Sequence, residues 1–315
     1  MVKLSNKTSN QKHLIAIGGP TAIGKTEVSI KLADHFSCPI LSTDSRQFYR
    51  EVSIGTAKPS KLMLQSARHY FINSLSIHDS YSVGDFERDA LQILDEIYFT
   101  GSYAIACGGN GLYFKALIEG LDAFPSIPET VRDSVEEEYE KYGIERLQEE
   151  LRNSDPAYLE SVDSFNPHRL IRALAVIRHT GKSFSSFRTG LSHKRSFNSF
   201  RIALSMDRAL LYQKINQRVD QMVSEGLFEE AEKYYSFRDL NSLNTVGYKE
   251  IFDFMDGIYS RDVAIEKIKQ HSRNYAKRQM TWFRNQPGWK HFHPEDIDAI
   301  IDYIERSKNQ LDSEV

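Results

Sequence analysis

The chain has 315 residues, 40% of them hydrophobic, and a formal net charge of −3. That length accommodates two domains, or one domain with a large insertion, around a sizeable core. No apolar run approaches the roughly 18 residues that a membrane-crossing helix needs, so a helical membrane protein is excluded.

Residues 1–12 are polar and lack an apolar h-region, so a loose tail is expected there rather than a signal peptide. Leu14-Ile15-Ala16-Ile17 reads as a buried strand over residues 14–18. Gly19-Pro20-Thr21-Ala22-Ile23-Gly24-Lys25-Thr26 follows, a full G-x-x-x-x-G-K-[ST] phosphate loop. An amphipathic helix over residues 25–36 comes next, with Val28, Ile30, Leu32, Ala33 and Phe36 apolar. Strand, loop and helix are the context in which the motif binds phosphate. Glycines let the backbone wrap an anion, amides at the helix start point at it, and the dipole adds positive potential. Lys25 supplies a mobile charge, and the Thr26 hydroxyl suits Mg²⁺. The loop alone does not choose between a nucleotide and another diphosphate.

Further strands are expected at 39–43, 69–75 and 103–107, and helices at 84–99 and 112–119. Ser82 with Asp85 reads as an N-cap pair. Alternating elements of this kind imply a parallel sheet with helices on both faces, and ligands at the carboxyl ends of the strands. The fold class is therefore α/β, a P-loop NTPase-like parallel sheet core. The strand over 103–107 ends in Gly108-Gly109-Asn110-Gly111 and carries no acid of the kind that phosphoryl-transfer enzymes place there. The strand-end acid is Asp44. With the second strand expected beside the first, Asp44 faces the phosphate site as a base or a water-mediated Mg²⁺ ligand. Asn110 sits on a flexible turn at the same rim.

After Gly120 the texture changes. Pro125, Pro128 and Pro156 punctuate charged helical segments, so an all-helical insertion domain is expected over 125–198, within a core of 1–124 and 199–315. A strand returns at 200–206, Asp207 caps a helix that Gly226 ends, and another helix covers 261–285. Acids dominate 129–160, whereas 164–206 holds no Asp or Glu and many Arg, Lys and His. A second basic run spans 267–284. Such segregation points to a local face for a polyanion such as RNA. The two cysteines, Cys38 and Cys107, have neither zinc nor disulfide spacing and read as small buried hydrophobes of a reducing cytoplasm.

The ordered motifs GPTAIGKT (19–26), STDSRQFY (42–49), IGTAKP (54–59), YSVGDF (81–86), GGNGLYFKAL (108–117), NPHRLIRAL (166–174), TGKS (180–183), TVGYKE (245–250) and RNYAKRQMTWFR (273–284) resemble the tRNA dimethylallyltransferase family over nearly the whole chain. The resemblance implies dimethylallyl diphosphate as donor, tRNA as acceptor and Mg²⁺ as cofactor; a monomer is the default expectation. The phosphate loop, residues Gly19 to Thr26, then holds a leaving diphosphate, with Arg218 as a clamp. Thr26 ligates the metal, Asp44 acts as base, and Lys25, Thr26 and Asn110 complete the catalytic set. By motif position, tRNA contacts fall on Asp44, Ser45, Arg46, Gln47, Arg132, His168, Arg169, Leu170, Ile171, Arg172, Asn244, Thr245, Val246, Gly247, Tyr248 and Lys249. Asn110 departs from the family's usual Thr.

Overall fold

The computed structural model describes residues 11–190 and 192–313. Most of the polar tail expected at 1–12 lies outside the described residues. The chain forms two compact units, one ending at Glu119 and resuming at Lys194, the other spanning Gly120–His193.

The first part of the larger unit runs β1 (His13–Gly18), α1 (Lys25–His35), β2 (Ile40–Ser42), α2 (Lys61–Ser66), β3 (His69–Tyr70), α3 (Val83–Thr100), β4 (Tyr103–Gly108) and α4 (Gly111–Glu119). The helical unit holds α5 (Glu129–Tyr142), α6 (Ile144–Ser154), α7 (Pro156–Ser161) and α8 (Pro167–Thr180). The larger unit then resumes with β5 (Asn198–Leu204), α9 (Arg208–Ser224), α10 (Leu227–Lys233), α11 (Tyr248–Met255), α12 (Arg261–Asn285), β6 (Lys290–Phe292) and α13 (Ile297–Ser313).

The sheet is parallel, in the order β3-β2-β4-β1-β5-β6. Every residue of β1 is buried, as a strand covered on both faces requires. Leu14 and Ala16 point into one core with Phe86, Phe114 and Phe283. Ile15 and Ile17 point into the other with Val28, Leu32 and Ile202. A third cluster lies under α9 to α12 around Leu227, Tyr248 and Ile251. The helical unit has its own core of Leu147, Leu151, Leu170 and Leu174. Capping fixes several boundaries: Ser82 and Asp85 form a reciprocal box at α3, and Asp207 accepts two amides at α9.

Three sequence expectations change. β2 does not neighbour β1, because β4 lies between them. The strand expected over 69–75 shrinks to His69–Tyr70, since Phe71 and Asn73 take left-handed conformations (φ 61° and 57°) that break the ladder. The helical unit is shifted toward the N-terminus relative to 125–198. Arg195 holds the return segment to the larger unit, donating to the carbonyls of Ala116 and Leu117 and pairing with Glu87 at 2.6 Å. β6 was not anticipated.

His13 is fully buried at the start of β1, its ring 5.2 Å from that of Tyr103 and 5.3 Å from that of Phe200. Neither ring nitrogen has a hydrogen-bond partner among the described residues. Burial pushes its pKa below the usual 6.5, partly offset by Asp312 and slightly reinforced by Lys308. A depressed folded-state pKa means that stability is intact above the unfolded value and declines as pH falls, because the unfolded chain then binds the extra proton. His13→Phe keeps the ring stacking and removes the titration. The urea midpoint of the native chain is expected to fall from pH 7.5 to 5.5 more steeply than that of His13→Phe; parallel profiles would refute this.

Candidate active site

The phosphate loop joins β1 to α1. Its backbone takes positive φ at Gly19, Ala22 and Gly24, which wraps the chain around an anion-sized space and leaves the first amides of α1 outside the helix ladder. Lys25 Nζ donates to the Pro20 carbonyl at 2.8 Å, so the lysine folds back over its own loop. Burial lowers its pKa to about 8, against the opposing pull of Cys107 and Asp44. Arg218, from α9, donates to Thr21 Oγ1 and to the Ala57 carbonyl, both at 3.3 Å. Burial depresses its pKa too, partly offset by Asp44 and Glu27.

Asp44 follows β2. Its Oδ1 accepts the Arg46 amide at 3.1 Å, and it has no ion pair among the described residues. Asp44 reaches the phosphate loop across β4 rather than from an adjacent strand. β4 ends in Gly108, where a Cβ would stand 2.2 Å from Thr43 Oγ1. No side chain fits at that strand end, so the acid of a phosphoryl-transfer site is sterically absent. Asn110 caps α4, its Oδ1 accepting the Leu112 amide at 3.2 Å. The turn before it is packed rather than flexible: a Cβ at Gly109 would lie 2.0 Å from Gln279 Nε2. Lys25, Thr26, Asp44, Asn110 and Arg218 line one cleft of about 2280 Å³.

The structure sorts the remaining expected residues. Arg46 donates to the carbonyls of Asn241, Ser242 and Asn244, so its guanidinium holds a loop. Gln47 accepts from Ser42 and donates to the carbonyls of Thr56 and Ala57. Leu170 and Ile171 are buried in the helical core and Tyr248 in the larger unit, so these three side chains are unavailable to a ligand. Tyr248 instead donates to Glu230 at 2.5 Å, and Glu230 accepts the amides of Ser53, Ile54 and Gly55. Ser45, Asn244, Thr245, Val246, Gly247 and Lys249 lie along the cleft; Ser45, Thr245 and Val246 are half-buried, Gly247 is buried, and Asn244 and Lys249 are exposed. Arg132, His168, Arg169 and Arg172 are exposed on the helical unit.

The basic block is not one uninterrupted face. Arg178 is consumed by Glu138 and Glu150 at 2.9 and 2.6 Å, and Arg201 pairs with Glu119 at 2.9 Å. In α12, Lys269 pairs with Asp220 and Glu266. Lys277 and Arg278 stay exposed, with Arg278 over the ring of Tyr275 at the cleft. Two cleft residues escaped the sequence reading. Lys58 donates to the Tyr49 carbonyl and to Asn73, and burial lowers its pKa to about 8. Gln279 is buried on the stripe of α12 that also carries Ala276 and Phe283; it lies within the motif over 273–284, and a polar residue on that stripe is the signal that could have singled it out.

A phosphate loop at the first strand of a parallel sheet, with a free carboxylate across the cleft, defines a phosphate-loop α/β enzyme of the NTPase-like class. The IPP transferase family profile matches residues 47–286. The tRNA dimethylallyltransferase of Christiangramia forsetii is 49% identical over 94% of this chain and 99% of its own length. That of Flavobacterium johnsoniae is 46% identical over 93% and 97%. The crystal structure of the tRNA isopentenylpyrophosphate transferase of Bacillus halodurans superposes with a TM-score of 0.72 at 36% identity, covering 96% of this chain and all of that one. The chain belongs to the IPP transferase family.

Protonated Lys25 is the form that binds an anion, so raising the pH through about 8 removes a charge from the site. Affinity for inorganic diphosphate, measured by calorimetry, is expected to drop faster with rising pH in the native chain than in Lys25→Arg, the difference approaching about tenfold per pH unit. Superimposable pH profiles would exclude this role for Lys25.

Proposed function

We propose that this chain transfers the dimethylallyl group of dimethylallyl diphosphate to the exocyclic N6 amine of the adenosine 3′ of the anticodon (position 37), in tRNAs that read codons beginning with U. The products are N6-isopentenyladenosine and diphosphate. The observation that carries this reading is the shared cleft, lined by both the phosphate loop and a carboxylate, Asp44, that has no ion pair among the described residues, with no acid at the end of β4 for phosphoryl transfer.

In the proposed reaction the loop amides, Lys25 and Arg218 stabilise charge that grows on the departing diphosphate as the allylic C–O bond breaks. The adenine amine attacks the allylic carbon, and Asp44 accepts its proton. Asn110, held as a helix cap, presents its amide to the base edge. The adenosine has to leave the anticodon-loop stack to enter the cleft. Exposed Arg132, His168, Arg169 and Arg172 on the helical unit, and Ser45, Asn244, Thr245 and Lys249 along the cleft, suit contacts with the anticodon stem-loop.

Mg²⁺ fits the donor set. No group of three or more His, Cys, Asp or Glu could cage a metal among the described residues. A single hydroxyl from Thr26, with diphosphate oxygens and water, is what a hard octahedral cation takes. When bound, it neutralises diphosphate charge. No helix among the described residues is long and apolar enough to cross a membrane; a monomer working in the cytoplasm completes the proposal.

The test is transfer of labelled dimethylallyl groups to unmodified tRNA carrying that adenosine, with and without Mg²⁺. Asp44→Asn is expected to lower kcat by about 10²- to 10⁴-fold while leaving diphosphate binding in place. No incorporation by a native chain that binds the tRNA would overturn the reading.

A further inference from the structure

Gln279 is 94% buried, 6% of its surface remaining exposed, and both ends of its amide are used. Its Oε1 accepts the Thr21 amide at 2.9 Å, and its Nε2 donates to the Gly109 carbonyl at 3.0 Å. The orientation is chemically forced, since a backbone N–H only donates and a carbonyl only accepts.

Each bond fixes a peptide plane. In a trans peptide the C=O and N–H point in opposite directions. Turning the Thr21 N–H toward Gln279 therefore turns the Pro20 carbonyl away from it, and that carbonyl is where Lys25 Nζ rests at 2.8 Å. Holding the Gly109 carbonyl likewise directs the Asn110 N–H to the opposite side, at the turn that caps α4. One side chain thus sets the resting place of the phosphate-loop lysine and the pose of the Asn110 turn. The space around it admits no slack, since a Cβ on Gly109 would collide with Nε2.

We propose that Gln279 is a positioning residue that couples the diphosphate loop to the Asn110 turn, so that donor and acceptor halves of the cleft share one geometry. This rests on the transferase reading above. Gln279 touches neither reacting group; it acts through Lys25 and Asn110.

Two substitutions separate this from a packing role. Gln279→Met keeps the volume and removes both hydrogen bonds. It is expected to bind inorganic diphosphate more weakly and to lower kcat by about 10²-fold, the scale of a small misplacement in a reacting complex, with a smaller change in KM for tRNA. Gln279→Glu is the sharper probe. A protonated carboxyl can accept from Thr21 and donate to Gly109 as the amide does, whereas a carboxylate faces the Gly109 carbonyl without a proton. The kcat of Gln279→Glu relative to the native chain is therefore expected to rise as pH falls from about 9 to about 6. A ratio that stays flat across that range, or native kcat and diphosphate affinity in Gln279→Met, overturns the proposal. Should Gln279→Glu not fold, Gln279→Met with both readouts decides alone. Failure of the native chain to prenylate tRNA would strike the transferase reading instead, and the diphosphate affinities of native chain and Gln279→Met would still decide whether Gln279 positions the loop.

Discussion

The cleft depends on how closely α12 lies against the glycine ends of β1 and β4. Three contacts along the helix leave no room for a Cβ. At Gly18 it would stand 2.1 Å from Phe283, at Gly109 2.0 Å from Gln279, and at Gly111 2.2 Å from Trp282. A helix can approach a strand end this closely only where side chains are missing. The approach brings a buried amide to the phosphate loop and the Asn110 turn together, and it sets Tyr275 and Arg278 at the same cleft. The glycines that make the phosphate loop recognisable are local requirements; those at 109 and 111 answer to a helix about 170 residues away, as the Gln279–Gly109 bond measures.

That distinction explains what was legible in the sequence. The phosphate loop, α1, the capping box at Ser82 and the span of α12 all follow from neighbouring residues, so periodicity and caps suffice to place them. The position of Asp44 was reached by a wrong route. The expectation put β2 beside β1, whereas β4 lies between them, and strand order is set by crossover packing that no local pattern reveals. Asp44 lines the cleft beside the end of β4, where Gly108 leaves no room for a side chain against Thr43.

The charge pattern misled in a related way. The basic and acidic blocks are separate in sequence, but Arg178 meets Glu138 and Glu150 across the helical unit, 40 and 28 residues away. Composition counts a charge without saying whether it is already matched. Motif residues behaved alike: Arg46 and Gln47 spend their polar atoms on loops that shape the cleft, Tyr248 spends its hydroxyl on Glu230 of α10, and Gln279, which sits within the RNYAKRQMTWFR motif, does the same at the centre of the cleft, where the motif alone does not say what it holds.

The electrostatics of the cleft then follow from burial. Desolvation pulls Lys25 down to about 8 and moves Arg218 in the same direction, and Asp44 offsets only part of either shift. A fold that holds two cations under this penalty is more stable with an anion present, because a polyanionic ligand restores the interactions that water no longer provides.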